Sequence, residues 1–373
     1  MLYYCVATVF TRFTGITCYL CAESMVRQIH VEEFLRERNG TAILDVRSPA
    51  EFMHGHIPGA SNLPLFSDEE RVIVGSAYKQ VSPGHAMQLG LEITGRKLAD
   101  LVIRAQNYAE ERPVVVHCWR GGNRSGSISW LLNFTGMDVS VLEGGYKAYR
   151  TFQRHWFDAT PYNLIILGGK TGSGKTEILK RMAERGEQVL DLEHLAKHKG
   201  SAFGWIGEEE QPSTEHFENS VFDTMHGLDL NKPIWVENES RTIGRVFIPE
   251  RFWLKMIYAP LVHIEIPLQA RIQNLVDVYA ASDAREALAE SFMKIRKRLG
   301  GQHVKAAIDA LSKGDYHTAA EIALRYYDKT YSYGLEHSNA TSVEKICADN
   351  MDVDHIADML VSFAQLRTDQ VAV

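Results

Sequence analysis

Two short stretches of this chain combine residue types suited to holding anions. In VVVHCWRGGNRSGSISWLL, Cys118 directly follows an apolar run and precedes an apolar-periodic segment that starts near Ser125. That spacing predicts a strand, a tight loop and a helix, with a thiol at the base of the loop. In such a crossing the backbone N–H groups of Trp119, Arg120, Gly121, Gly122, Asn123 and Ser125 and the helix N-terminus point at the sulfur. They stabilise a thiolate and any anion that it attacks. Gly121 and Gly122 give the loop its freedom to curl, and Arg124 closes the ring as a cation able to hold a tetrahedral oxyanion through two nitrogens. Most lone cysteines are small buried hydrophobes, but that reading leaves the glycines, the arginine and the helix start unexplained. The expected chemistry is nucleophilic, with Cys118 and Arg124 as catalytic residues.

The second stretch, GGKTGSGKT, follows the apolar run Leu164–Leu167 and satisfies G-x-x-x-x-G-K-[ST] with Gly169, Gly174, Lys175 and Thr176. Consecutive amides over Lys170, Thr171, Gly172 and Ser173 form a concave anion nest, Lys175 reaches terminal phosphates, and Thr176 can ligate magnesium. A helix over Glu177–Arg185 supplies the dipole behind it. The acid that usually accompanies such a loop is not obvious. Asp191 in VLDLE and Glu237 at the end of IWVEN are each either a magnesium ligand through water or an ordinary strand-end acid. The loop could cradle a diphosphate ester without hydrolysing ATP, and the sequence leaves open whether ATP binds at all.

Elements to position both loops are readable on either side. Strands are predicted over Ala42–Val46, Val114–His117 and Val139–Leu142, with a helix over Leu98–Tyr108. Pro161 marks a boundary near Phe157–Tyr162, beyond which Leu164–Leu167, Val189–Leu192, Ile234–Glu237 and Leu261–Ile266 read as strands. Strand–helix alternation predicts parallel α/β sheets in both units. After Pro267 the strand signals stop, and Leu268–Tyr279, Ala284–Leu299, Val304–Lys313, Tyr316–Tyr327 and His355–Leu366 read as helices.

At 373 residues the chain is too long for one ordinary core. With 45% hydrophobic and 23% charged residues it falls in the soluble globular class. A net charge of −7 gives no global reason to bind nucleic acid, so an RNA contact must come from a local basic surface. The five cysteines are odd in number and scattered, unlike a disulfide framework, and point to a reducing compartment. Cys18 and Cys21 form a lone C-x-x-C, half of a tetrahedral zinc site, and are expected to be inert. The apolar first two dozen residues lack a basic n-region and are interrupted by Arg12, so neither an export signal nor a membrane span is expected, and the cytoplasm is the expected location. A translation start at Met25, just before the patterned sequence, is the alternative for that stretch.

H-C-x5-R-S also matches the loop of cysteine-dependent phosphatases, so the loop alone does not choose between dephosphorylation and sulfur transfer. ILDVRSPAEFMHGHIPGASNLP, Ile43 to Pro64, resembles the first signature of rhodanese domains, and VLEGGYKAYR, Val141 to Arg150, resembles their closing strand and turn. That resemblance covers roughly Gln28 to Trp156 and implies a persulfide- or perselenide-carrying Cys118. The loop is one residue longer than rhodanese loops usually are, which suits a phosphate-sized anion such as selenophosphate. A rhodanese domain followed directly by a P-loop unit resembles the tRNA 2-selenouridine synthase family. EERVIVGSAYKQVSP from Glu69, DLEHLAKHKGSAFG from Asp191 and VENESRTIGRVFIP from Val236 are similar to that family's text, carrying the resemblance to at least Tyr333. It implies an N-terminal extension over 1–24, a rhodanese-like parallel-sheet domain over 25–157, a P-loop NTPase-like α/β domain over 158–270 and a helical C-terminal region over 271–373. It also implies replacement of the sulfur of wobble 2-thiouridine in tRNA by selenium from selenophosphate, through an S-geranylated intermediate made from geranyl diphosphate. A selenophosphate-supplying enzyme is the implied partner.

The tRNA needs basic surface. KIRKRLGGQHVK, with Arg296, Lys297 and Arg298, is the densest cluster, and phosphate contact is as natural a use as a solvated helix face. Arg241 and Arg245 are further candidates. The competing reading is a rhodanese-type sulfurtransferase, or a Cys-x5-Arg phosphatase, fused to a small-molecule kinase. The residues give no general base: His117 adjoins the thiol, but in a strand its side chain faces away from its neighbour's.

Overall fold

The computed structural model describes residues 26–280 and 284–371. The expectations for Cys5, Cys18, Cys21 and a start at Met25 lie outside the described residues. The first unit contains β1 (Arg27–Ile29), β2 (Ala42–Asp45), β3 (Ser61–Asn62), β4 (Val114–His117) and β5 (Val139–Leu142). They form one parallel sheet in the order β1-β5-β4-β2-β3. Strands β2, β4 and β5 are buried along their whole length, as a parallel sheet covered on both faces requires. Two helices, Asp68–Gln80 and Pro83–Gly95, escape the apolar-period reading because they bury little. Their starts are nevertheless written in the sequence: Ser67 forms a capping box with Glu70, and Ser82 accepts from the His85 amide ahead of Pro83.

The second unit contains β6 (Asn163–Gly169), β7 (Gln188–Leu190), β8 (Pro233–Glu237), a short antiparallel pair β9 (Thr242–Ile243) and β10 (Val246–Phe247), then β11 (Leu261–Glu265) and β12 (Val343–Cys347). Its main sheet is parallel, ordered β12-β11-β6-β8-β7, with the phosphate-loop strand β6 at the centre. The expectation that strands end at Pro267 is overturned by β12, which pairs with β11 from Leu261↔Val343 to Glu265↔Cys347. As an edge strand it is held by main-chain bonds and half exposed, so it carries almost no apolar pattern. Its return brings the helix Val353–Val371 against the helix Lys175–Glu184 that follows the P-loop, through Arg185 to Asp354 and Asp358 and the buried Ile356, Ala357 and Leu360. The predicted helix Ala284–Leu299 breaks at Ile295 into Arg285–Lys294 and Arg296–Leu299, and the one from Tyr316 runs on to Glu336. Among the described residues no helix is long and apolar enough to cross a membrane.

One apolar core runs through both units, joining Ile29, Phe34, Tyr146, Tyr149 and Phe157 to Phe217, Phe222 and Phe252. Polar ties reinforce the seam. Arg150 donates to Asn219 (2.7 Å), whose amide donates to the His56 carbonyl (2.8 Å), and Tyr146 donates to Glu215 (3.0 Å).

Candidate functional site

Cys118 directly follows β4 and the helix Asn123–Phe134 begins five residues on, two residues ahead of the expected start. The turn between them closes because two glycines touch: Gly121 has φ +65°, and a Cβ on Gly145 would lie 2.4 Å from the Cys118 carbonyl and 2.5 Å from the Gly121 amide. Gly122, read as equally necessary, has an ordinary negative φ and open space beside it. The thiol is only 4% exposed. Burial pushes it up, but the Ser125 hydroxyl at 3.3 Å, the amides of Ser125 and Arg120 and the Arg124 charge outweigh burial and hold Cys118 below the ordinary thiol value. The reactive thiolate is therefore populated at lower pH than in a free cysteine. Ser125→Ala should move the midpoint of iodoacetamide alkylation upward: the variant reacts more slowly between the two midpoints and equally fast above both. A profile that coincides with the parent at every pH would remove Ser125 from this role.

Arg124, expected to close the ring as a cation, is held by a carboxylate from another segment. Its Nη1 and Nη2 donate to Glu51 Oε2 and Oε1 at 2.6 and 3.3 Å. Glu51, in the DVRSPAEF segment, is held below its usual range despite burial, chiefly by the Arg124 bond, and also lies 3.6 Å from Arg71. An anion arriving at the thiol thus meets loop amides and an arginine already oriented by a carboxylate. His117 is fully buried, near Asp45 (3.8 Å) and the Tyr146 ring, and burial lowers its pKa. Asp45 is itself taken by Arg47 through Nε and Nη2 at 3.0 and 2.6 Å. Neutral His117 is part of the support beneath the loop.

In the phosphate loop, Gly174 caps the helix Lys175–Glu184 with φ +70°, and Lys175 Nζ donates to the Gly169 carbonyl (3.2 Å). The helix Leu268–Ala280 braces the loop from outside. Buried Arg271 donates to the Thr171 carbonyl (3.1 Å) and pairs bidentately with Asp328 (2.8 and 2.7 Å), and Asn274 donates to the Gly172 carbonyl (3.0 Å). Neither Arg271 nor Asp328 carries a local sequence signal.

The acids rearrange relative to expectation. Asp191 caps the helix Leu192–Ala196 by accepting from the His194 amide (2.7 Å), and buried Glu237 accepts from the Leu192 amide (3.1 Å). Burial, then the charge of Asp191, raises the Glu237 pKa well above its ordinary value. The carboxylate that reaches the loop is Glu193, whose Oε2 accepts from the Thr176 hydroxyl (2.8 Å). Beside it Glu239 is pushed up to about 8, by burial first and then by Glu193. Glu193 and Glu239 crowd the backbone at Gly200, where a Cβ would meet both at 2.8 Å. A D-L-E and an E-N-E were visible; that Glu193 is the acid meeting Thr176, with Glu239 beside it, depends on where the chain turns after β7 and β8. Among the described residues no group of three or more His, Cys, Asp or Glu side chains is arranged to hold a metal.

The phosphate loop opens directly into a cavity of about 580 Å³. Its near end holds Lys175, Thr176, Glu193 and Glu239; beyond them apolar Leu275, Leu288, Phe292 and Leu311 share the walls with Tyr279, Tyr316, Tyr327 and Tyr331. None of the basic candidates lines this cavity. Arg296, Lys297 and Arg298 are exposed on a one-turn helix. Arg245 is engaged by Glu210 (2.9 Å) and the Gln211 carbonyl, and Arg241 lies 3.8 Å from Glu250.

Residues 30–151 match the rhodanese-like domain family, and residues 162–360 match the tRNA 2-selenouridine synthase AAA domain. The chain is similar to the tRNA 2-selenouridine synthase of Sulfurovum sp., 34% identical over 331 residues that span 80% of this chain and 90% of that one. Likewise it is 37% identical to the protein of that name from Shewanella loihica, over 80% of this chain and 88% of that one. With the Psychromonas ingrahamii protein of the same name the identity is 32%, over 79% and 88%. A cysteine loop and a phosphate loop on two parallel sheets, the match to both domain families and these near full-length similarities place the chain in the tRNA 2-selenouridine synthase family.

Proposed function

We propose that the protein exchanges the 2-thio sulfur of wobble 2-thiouridine in tRNA for selenium, in two steps divided between its two loops. The observation that carries this reading is the join between an anion nest and an apolar cavity. The far walls are mostly apolar, Leu275, Leu288, Phe292 and Leu311 among them, with tyrosines as the main polar groups, a lining that suits a hydrocarbon chain better than a nucleoside base. A prenyl diphosphate such as geranyl diphosphate satisfies both ends: its phosphates meet the nest and Lys175, and its chain lies in the cavity.

In the first step the nucleophile is the tRNA sulfur. The bond from geranyl C1 to the diphosphate oxygen breaks, an S–C1 bond forms, and the diphosphate leaves with the electron pair. Lys175 and the loop amides stabilise that leaving charge. Magnesium, where bound, would add positive charge at the same phosphates, and the Thr176 hydroxyl and Glu193 carboxylate are the hard oxygens to hold it. In the second step the Cys118 thiolate attacks C2 of the base and geranylthiol leaves; the selenium of selenophosphate then displaces Cys118 from C2, and water cleaves the Se–P bond to release phosphate and leave 2-selenouridine. The selenophosphate-supplying enzyme is the partner this step requires. Arg296, Lys297 and Arg298, exposed together, remain the best candidates for tRNA phosphate contacts.

Incubating the protein with tRNA carrying 2-thiouridine, geranyl diphosphate and selenophosphate, and analysing the digested nucleosides by mass spectrometry, tests the reading. Geranylated and selenium-containing uridine are expected. Unmodified 2-thiouridine from folded protein, with turnover of thiosulfate instead, would turn the assignment to a sulfurtransferase fused to a kinase.

A further inference from the structure

One side of the cavity is a single face of the helix Tyr316–Glu336. Tyr316, Ala319, Ala323, Tyr327 and Tyr331 recur along it at helical spacing, and all border the cavity. At a rise of about 1.5 Å per residue, the step from Tyr316 to Tyr331 covers roughly 22 Å. The two ends of this face are not equivalent. At the phosphate end the Tyr331 hydroxyl lies 3.0 Å from His263 Nδ1 on β11 and stands where a Cβ on Gly168 would be, 2.8 Å away. Just before it, Asp328 holds Arg271, which holds the Thr171 carbonyl. The helix is therefore pinned in register with the phosphate loop. Buried Ser173 Oγ, without a hydrogen-bond partner among the described residues, lies against Gly169 at this end, 2.5 Å from where a Cβ there would be.

The other end is lined by small and apolar side chains. Ala319, Ala323, Leu311 and Phe292 are all nearly inaccessible to solvent, and Phe292 packs edge-on against Phe203 with centroids 4.9 Å apart. The cavity persists there because the helix presents alanines to it.

We propose that this helix measures the prenyl chain: with the diphosphate fixed at the loop, the side chains at Ala323 and Ala319, facing Phe292, determine which chain length the enzyme accepts. The inference rests on the prenyl diphosphate reading above. None of these residues touches the breaking C1–O bond. They act on the hydrocarbon, so their substitution changes kcat/KM in a length-dependent way. A leucine at Ala323 fills space that the second isoprene unit needs. An alanine at Phe292 opens space for a third.

The test is a competition with the full-length protein, tRNA bearing 2-thiouridine, and equimolar dimethylallyl, geranyl and farnesyl diphosphates, read as prenylated nucleosides by mass spectrometry. In Ala323→Leu the geranyl-to-dimethylallyl product ratio should fall at least about tenfold, and in Phe292→Ala the farnesyl-to-geranyl ratio should rise by a similar factor. Thermal melts establish folding, and Ala323→Val provides a smaller step in the same direction should the leucine variant fail to fold. Folded variants that keep the parent's product ratios overturn the ruler and leave the prenyl reading standing. A parent protein that transfers no prenyl group of any length overturns the prenyl reading, and the ruler with it.

Discussion

Replacing Lys175 by alanine is expected to lower prenyl transfer to tRNA by about 10²–10³-fold, with the loss in kcat as well as in KM. The Lys175 ammonium lies over the first carbonyl of the phosphate loop and beside the Thr176–Glu193 pair, where a terminal phosphate would sit. Charge grows on the diphosphate as the C1–O bond breaks, so a fixed cation there is worth more in the transition state than in the ground state, and removing one such group costs on this scale. The same variant should still convert tRNA that already carries the S-geranyl group, because Cys118 belongs to another sheet with its own anion loop. Measuring both half-reactions on the one protein separates the possibilities: a parallel loss of the two would mean that the P-loop serves the selenium step as well.

The complementary result is expected for Cys118→Ser, which should retain geranylation and lose selenation by about 10³-fold or more, the scale on which an activated nucleophile's removal is felt. The surroundings of Cys118 are built for a thiolate, with a hydroxyl, two amides and a guanidinium holding its pKa down against burial. A serine hydroxyl in that cradle is neither ionised nor nucleophilic enough to displace geranylthiol from C2. Nucleoside analysis after incubation of pre-geranylated tRNA with selenophosphate gives the answer. Full selenation by the serine variant would show that selenophosphate attacks the base directly and that Cys118 forms no bond to it.

Both loops were legible because each is local. A strand, a few glycines and a helix start within a dozen residues fix the path of the backbone, and an anion nest is made of backbone, so Cys118 and Lys175 could be located without knowing their neighbours. Glu51 is a different case: it lies in a legible segment, but its pairing with Arg124 joins residues 73 apart. The exposed edge strand β12 was invisible because main-chain bonds to β11 hold it and demand no apolar alternation.

By itself the sequence determined two parallel α/β units in order, the cysteine loop on the first, the phosphate loop on the second and a mostly helical C-terminal part. These follow from periodicity and turn chemistry acting over short stretches of chain. Only the tertiary structure decided that Glu193 rather than Asp191 meets Thr176, that Arg271 and Asp328 lock the phosphate loop to the helix Tyr316–Glu336, and that a largely apolar cavity opens from the nest. The physical reason is that these arrangements are made by side chains far apart in sequence. Alanines on a helix look the same whether they face solvent, a packed core or a space left for a ligand, and only the placement of Phe203, Phe292 and Leu311 opposite them tells which.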